Sequence, residues 1–175
     1  GYNTDSTASV RVLEGGLAEK GSYLQGKKVT IVGAGGAARA AAFGLREKGA
    51  EITIVNRTEG RAENLARDLG CRYSRFKDLR NLETEVLINC TSVGMYPKVE
   101  EIPVSTEVLR PGMWVFDVVY NPPETRLLRE ARERGCHILN GLKMFICQAA
   151  EQFELWTGRK APLEVMEGIV KGRLM

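Results

Sequence analysis

Residues 29–38 read Val29-Thr30-Ile31-Val32-Gly33-Ala34-Gly35-Gly36-Ala37-Ala38, and no other stretch of the chain limits its fold so strongly. Four consecutive β-branched residues favour a buried strand over a helix. Three glycines follow at once, and then an alanine-rich run that favours a helix. A strand that turns on glycines straight into a helix opens a βαβ unit, which commits the chain to a parallel sheet. Within the turn, Gly33 permits the tight bend and Gly35 lets the backbone approach a pyrophosphate. Ala38 lets the helix lie close on the sheet. The start of that helix offers unpaired N–H groups and a positive dipole end to phosphates. Gly33, Ala34, Gly35, Gly36 and Ala37 are therefore candidate dinucleotide-binding residues.

The rest of the chain keeps switching between strand-like and helix-like periods. A helix over Ala37 to Lys48 is stopped by Gly49, a strand covers Ile52 to Val55, and a helix covers Gly60 to Leu69 before Gly70. Strands are expected near Cys71 to Tyr73, at Val86 to Asn89, at Trp114 to Val118 and at Cys136 to Leu139, with a charged helix from Thr125 to Arg134. Continuously apolar strands alternating with helices imply an α/β fold. It is expected to be a Rossmann-like, doubly wound parallel sheet of six strands ordered 3-2-1-4-5-6, with extra helices at both ends. The first extra helix covers residues 5 to about 20, with Asp5 or Ser6 as its N-cap. The last two cover about 141–157 and 162–172, separated by Thr157-Gly158 and Pro162. The expected organisation is a linking helix at 1–20, a dinucleotide-binding domain at 21–140 and C-terminal helices at 141–175.

The end of the second strand selects among dinucleotides. A carboxylate there would hold a ribose 2′-OH, as NAD requires. The sequence instead reads Asn56-Arg57-Thr58, with Arg61 one turn later and no carboxylate before Glu59; Asn56 lies 23 positions after Gly33. An acidic group would repel a 2′-phosphate, whereas Arg57 and Arg61 can form charge-assisted bonds to it. NADP is the expected cofactor. The charge balance agrees: seven cations against four anions between Asn56 and Arg80 equal the whole net charge of +3. Two further strand exits fall on the same edge of the sheet. Thr91 and Ser92 supply small hydroxyls there, and Val93 and Met95 can wall a ring. Asp117 reads as a loop cap and Tyr120 as a surface aromatic, neither being specific alone.

Scarce residues exclude other chemistries. One histidine, His137, cannot build a multi-histidine metal centre, and no G-x-S-x-G elbow accompanies it for a serine hydrolase. No metal site is expected. Cys71, Cys90, Cys136 and Cys147 show no C-x-x-C spacing and read as small buried hydrophobes in a reducing compartment, with cytoplasm the expected location. A chain of 175 residues fits one domain. No apolar run approaches the roughly 18 residues of a membrane span, and the basic run lacks interleaved aromatics. Neither membrane nor nucleic acid is an expected partner.

Several ordered motifs carry a family resemblance. Gly1-Tyr2-Asn3-Thr4-Asp5, Gly33 to Ala37, Asn56-Arg57-Thr58, Asp117-Val118-Val119-Tyr120-Asn121-Pro122 and Asn140-Gly141-Leu142 occur in one order. They are followed by Met144, Gln148-Ala149-Ala150 and Phe153-Glu154-Leu155-Trp156-Thr157-Gly158. Together, over nearly the whole chain, they resemble the shikimate dehydrogenase family. The resemblance implies NADPH-dependent reduction of 3-dehydroshikimate to shikimate, on the route to chorismate and the aromatic amino acids. It implies that Asp5 binds substrate and assists a catalytic lysine, and that Tyr120 and Gln148 contact shikimate. Gly33 to Ala37 match the family's phosphate loop, and Asn56, Arg57, Thr58 and Arg61 its 2′-phosphate clamp. Thr91 is a further cofactor candidate, and Val118 and Gly141 fall where the family contacts the nicotinamide end.

The sequence also departs from the family. Ser6-Thr7-Ala8-Ser9 follows Asp5 where a glycine is more usual. The family's N-terminal domain supplies the catalytic lysine, the serines for the substrate carboxylate and an asparagine, and no lysine here has a matching context. That N-terminal domain is therefore an expected partner, and the chain alone is expected to be inactive; turnover by the chain alone would point to another proton source, such as Lys143 beside Gly141. Two rival expectations remain: a dehydrogenase preferring another substrate such as quinate, and a non-catalytic NADP-binding regulatory module.

Overall fold

In the computed structural model, which describes residues 3–174, six strands form one parallel sheet. They are β1 (Lys28–Val32), β2 (Glu51–Asn56), β3 (Arg72–Arg75), β4 (Val86–Asn89), β5 (Trp114–Asp117) and β6 (His137–Leu139), in the spatial order β3-β2-β1-β4-β5-β6. This is the doubly wound order expected from the sequence. Strand β1 pairs with β2 on one side and β4 on the other, so the winding reverses between β1 and β4. Six helices accompany the sheet: α1 (Thr4–Ala18), α2 (Gly36–Glu47), α3 (Glu59–Leu69), α4 (Arg126–Glu133), α5 (Gly141–Thr157) and α6 (Leu163–Leu174). Among the described residues no helix is long and apolar enough to cross a membrane.

Burial follows the apolar pattern. Ile31, Ile54, Ile88 and Phe116 are fully buried on one face of the sheet, against Leu13 and Leu17 of α1, Leu45 of α2 and Leu65 of α3. On the other face Val55, Leu87 and Val115 pack against Leu127, Leu128 and Ala131 of α4. With about 25 cal/mol for each Å² of apolar surface removed from water, these two faces supply the main drive for folding. Helix α1 closes over the first face. Gly44 of α2 makes this possible: a Cβ there would lie 2.9 Å from Val10 Cγ2 and 3.1 Å from the Ser6 carbonyl oxygen.

Several expected boundaries shift, each for a local reason. The N-cap of α1 is Asn3, not Asp5 or Ser6: the Asn3 side-chain oxygen accepts from the Ser6 N–H at 3.1 Å. Asp5 sits instead in the first turn, where its charge complements the positive helix end. Gly1 and Tyr2 of the first motif lie outside the described residues. Strand β3 runs over Arg72–Arg75, beyond the expected Cys71 to Tyr73, because register with β2 sets this polar edge strand. Strand β5 ends at Asp117, one residue early, because the chain turns there around the Asp117 carboxylate. Short 3-10 turns at Phe76–Asn81 and Thr106–Val108 have no signal in the hydrophobic period.

Candidate functional site

The carboxyl ends of β1, β2 and β4 open into a cleft of about 910 Å³. Ligands of doubly wound sheets bind in such a crevice, where the winding reverses. Gly33, Ala34, Gly35, Asn56, Arg57, Arg61 and Thr91, all expected from the sequence, line it together. Gly36, Ala37 and Thr58 do not line it, but they form the helix starts at its edge.

The glycine loop is shaped by backbone. Gly33 has φ +121, and a Cβ there would lie 3.0 Å from the Cys90 carbonyl oxygen. Its N–H donates to the Val55 carbonyl at 2.8 Å, fixing the turn to the end of β2. Gly35 is the N-cap of α2 in extended conformation and provides no side-chain cap, and the first turn holds no carboxylate. A Cβ on Gly35 or Gly36 would meet nothing within 4 Å. The start of α2 thus has no side-chain cap and no carboxylate to compete for its first N–H groups, as an anion site requires.

The end of β2 adds positive charge. Asn56 folds over the following turn, its Nδ2 donating to the Thr58 carbonyl at 3.0 Å. Arg57 and Arg61 project from this turn and from the start of α3, both exposed. Among the described residues neither guanidinium has an ion-pair or hydrogen-bond partner, whereas Arg39, Arg72 and Arg132 pair with Asp68, Glu51 and Glu124. Two unpaired guanidiniums beside an uncapped glycine loop fit a dinucleotide carrying an additional phosphate.

Beyond β4 and β5 a buried polar network holds two loops. Asn89 and Asp117 are register partners at the strand ends and are both fully buried. Asn89 Nδ2 donates to Asp117 Oδ1 at 3.0 Å, and the Val119 N–H donates to the same oxygen at 3.1 Å. Thr125 Oγ1 donates to Asp117 Oδ2 at 2.6 Å. Burial pushes the Asp117 carboxyl up to about 6, opposed by the bonds from Thr125, Val119 and Asn89. Burial and the Asp117 carboxylate together push the neighbouring Cys90 thiol well above the ordinary thiol range.

The remaining candidates form a second group outside the cleft lining. Gly141 opens α5 directly against the Val118 and Val119 carbonyls, so no side chain fits there. Tyr120 stacks on Phe145 of α5, with ring centroids 4.6 Å apart and planes at 24°. Gln148 lies half-buried one turn further along α5. Gln152 Nε2 donates to Thr4 Oγ1 at 3.2 Å, tying α5 to the first turn of α1 that carries the half-buried Asp5. Lys143 is exposed in the first turn of α5.

The structure adds residues that the sequence did not single out. Phe76, Glu100, Glu101, Ile102, Pro103 and Arg126 line the cleft as well. They come from long connections whose path has no periodic signal. Asn89 with Asp117 could have been found: two polar residues end otherwise apolar strands at equivalent positions. Phe145 carried no such signal.

Comparison with known proteins agrees with this geometry. The sequence profile described as shikimate/quinate 5-dehydrogenase matches residues 16–108, and that of the shikimate 5′-dehydrogenase C-terminal domain matches residues 141–171. A shikimate dehydrogenase (NADP(+)) of Methanosarcina barkeri is 45% identical over 97% of this chain and 62% of its own length. A bifunctional chloroplastic 3-dehydroquinate dehydratase/shikimate dehydrogenase of Arabidopsis thaliana is 46% identical over 94% of this chain and 29% of its own. Among solved structures, a shikimate dehydrogenase in complex with NADP+ superposes with a TM-score of 0.89 at 38% identity, covering 100% of this chain and 63% of that one. The Thermus thermophilus shikimate 5-dehydrogenase, in complex with NADP(H) and shikimate, gives 0.82 at 36% identity, covering 96% of this chain and 62% of that one. The chain thus spans about 62% of the length of the curated monofunctional relatives it matches.

Proposed function

The chain belongs to the shikimate/quinate 5-dehydrogenase family, and on that premise we propose that it is the NADP-binding part of a shikimate dehydrogenase. The reaction in this reading is the reversible NADPH-dependent reduction of 3-dehydroshikimate to shikimate. The observation that carries the reading is the pairing of the uncapped Gly33–Ala37 turn with the unpaired Arg57 and Arg61.

In this reading the N–H groups at the start of α2 hold the pyrophosphate, and Arg57 and Arg61 hold the 2′-phosphate, with Asn56 shaping their turn. A bound nicotinamide supplies the hydride. Thr91, Val118 and Gly141 bound the place where its ring lies. Tyr120 and Gln148 bind the substrate, and Asp5 assists the lysine that the family resemblance places in an N-terminal domain. That domain of the same enzyme is the proposed partner. Support for it comes from the exposed apolar side chains of the C-terminal helices, Trp156 at 80%, Val165 at 59% and Ile169 at 58%. General acid catalysis contributes typically 10²–10⁴-fold, and in this reading that contribution comes from the lysine of that domain.

The test is shikimate-dependent formation of NADPH by this chain together with the N-terminal domain of its enzyme. Turnover with shikimate supports the reading. Quinate preferred over shikimate moves the substrate assignment, and NADP binding without turnover on either favours a regulatory module.

A further inference from the structure

The Asp117 carboxylate is buried without a cation: its partners are the Asn89 amide, the Val119 N–H and the Thr125 hydroxyl. Desolvating a carboxylate is costly, and a stabilising role alone would be filled as well by an apolar side chain. What the group does geometrically is join two loops. On one side Asn89 passes the connection onward: its Oδ1 accepts from the Thr91 N–H at 3.0 Å and from Thr91 Oγ1 at 2.7 Å. Thr91 Oγ1 in turn accepts from the Val93 N–H at 3.2 Å. On the other side Asp117 holds Val119, whose neighbours Val118 and Tyr120 bear on α5 through Gly141 and Phe145. The Tyr96 N–H bonds the Asn121 carbonyl at 3.0 Å, closing the same two loops further out.

We propose that Asp117 is a positioning residue that sets the Thr91–Val93 loop against the Val118–Tyr120 loop, and so shapes the nicotinamide half of the site and not its adenine half. The inference rests on the NADP reading above. The adenine half, with Arg57 and Arg61, is built on β2 and α3 and, among the described residues, shares no hydrogen bond with this network.

Two probes separate the halves. NADPH engages both, whereas 2′,5′-ADP carries adenine, ribose and the 2′-phosphate without nicotinamide. Titration of this chain with each, for wild type and variants, reads the difference. Asp117→Ala is expected to weaken NADPH about tenfold and leave 2′,5′-ADP within about twofold, because it leaves the buried Val119 N–H and Thr125 hydroxyl unpaired and leaves Asn89 Nδ2 with only the Val93 carbonyl at 3.4 Å. Thr125→Val keeps two of the three bonds and is expected to weaken NADPH about threefold, again without effect on 2′,5′-ADP, so the proposal stays testable if the alanine variant fails to fold. Asp117→Asn keeps an acceptor for Val119 and Asn89 and restores NADPH affinity to near wild type. The Val93 and Val119 amide resonances shift together in the alanine variant. Equal weakening of both probes, or no change in either, overturns the proposal. Failure of the wild type to bind 2′,5′-ADP overturns the NADP reading itself, and this inference with it.

Discussion

Gly141 lies directly under the carbonyls of Val118 and Val119, so that a Cβ on it would stand 2.6 Å from the Val119 oxygen and closer still to Val118. The contact sets how near α5, with Phe145 and Gln148, approaches the loop after β5. Gly141→Ala forces one backbone off the other, and overpacking of this kind costs about 1–3 kcal/mol. Urea denaturation measures it. Wild-type stability in the alanine variant would show that the loop moves freely there.

Asp117 gives a pH dependence of defined sign. Its carboxyl ionises near the ordinary 3.8 when unfolded but only at about 6 in the folded chain. Below pH 4 both states hold the proton and the group is neutral to stability. Between about pH 4 and 6 the unfolded chain releases it first, so stability falls as pH rises, by about 3 kcal/mol in all. Above pH 6 the loss is complete. Asp117→Asn should remove this decline, and the difference between the two pH–stability curves isolates it from other carboxylates. Parallel curves would contradict the assignment.

The four cysteines should react slowly in the folded chain. Burial raises the thiols of Cys71, Cys90, Cys136 and Cys147 alike, and Asp117 adds to the effect at Cys90. Since the thiolate is the nucleophile, alkylation by iodoacetamide near neutral pH should be at least about tenfold slower at Cys90 in the native than in the urea-unfolded chain. Cys90 is half-buried and lines the cleft, so rapid native modification there would contradict the raised thiol.

The strand order and the glycine turn were legible because both follow from strong local signals. Apolar runs define β1, β2, β4 and β5, and Gly33 with Gly35 leaves few alternatives for the turn between β1 and α2. The edges were less legible. Asn3 caps α1 because its side chain reaches the Ser6 N–H, a choice that Asp5 and Ser6 matched equally well in composition. The site was legible where chemistry sits on one short segment, as in Asn56 to Arg61. It was not legible where the arrangement depends on contacts between residues distant in sequence, as in the Tyr120–Phe145 stack or the bond from Thr125 to Asp117. Those contacts exist only once strand register has brought the loops together.

In the reading proposed above, Arg57 and Arg61 make this cleft an NADP site. Each charge-assisted bond to the 2′-phosphate contributes about 1.5–3 kcal/mol, or about one to two powers of ten in affinity. The most direct measurement is the dissociation constant of NADPH and of NADH for the wild type and for Arg57→Ala/Arg61→Ala, at low salt, where exposed charges are least screened. The wild type is expected to prefer NADPH, and the double variant to lose at least about tenfold in NADPH affinity while NADH binding hardly changes. Equal weakening of both nucleotides, or a wild type that prefers NADH, would contradict that reading.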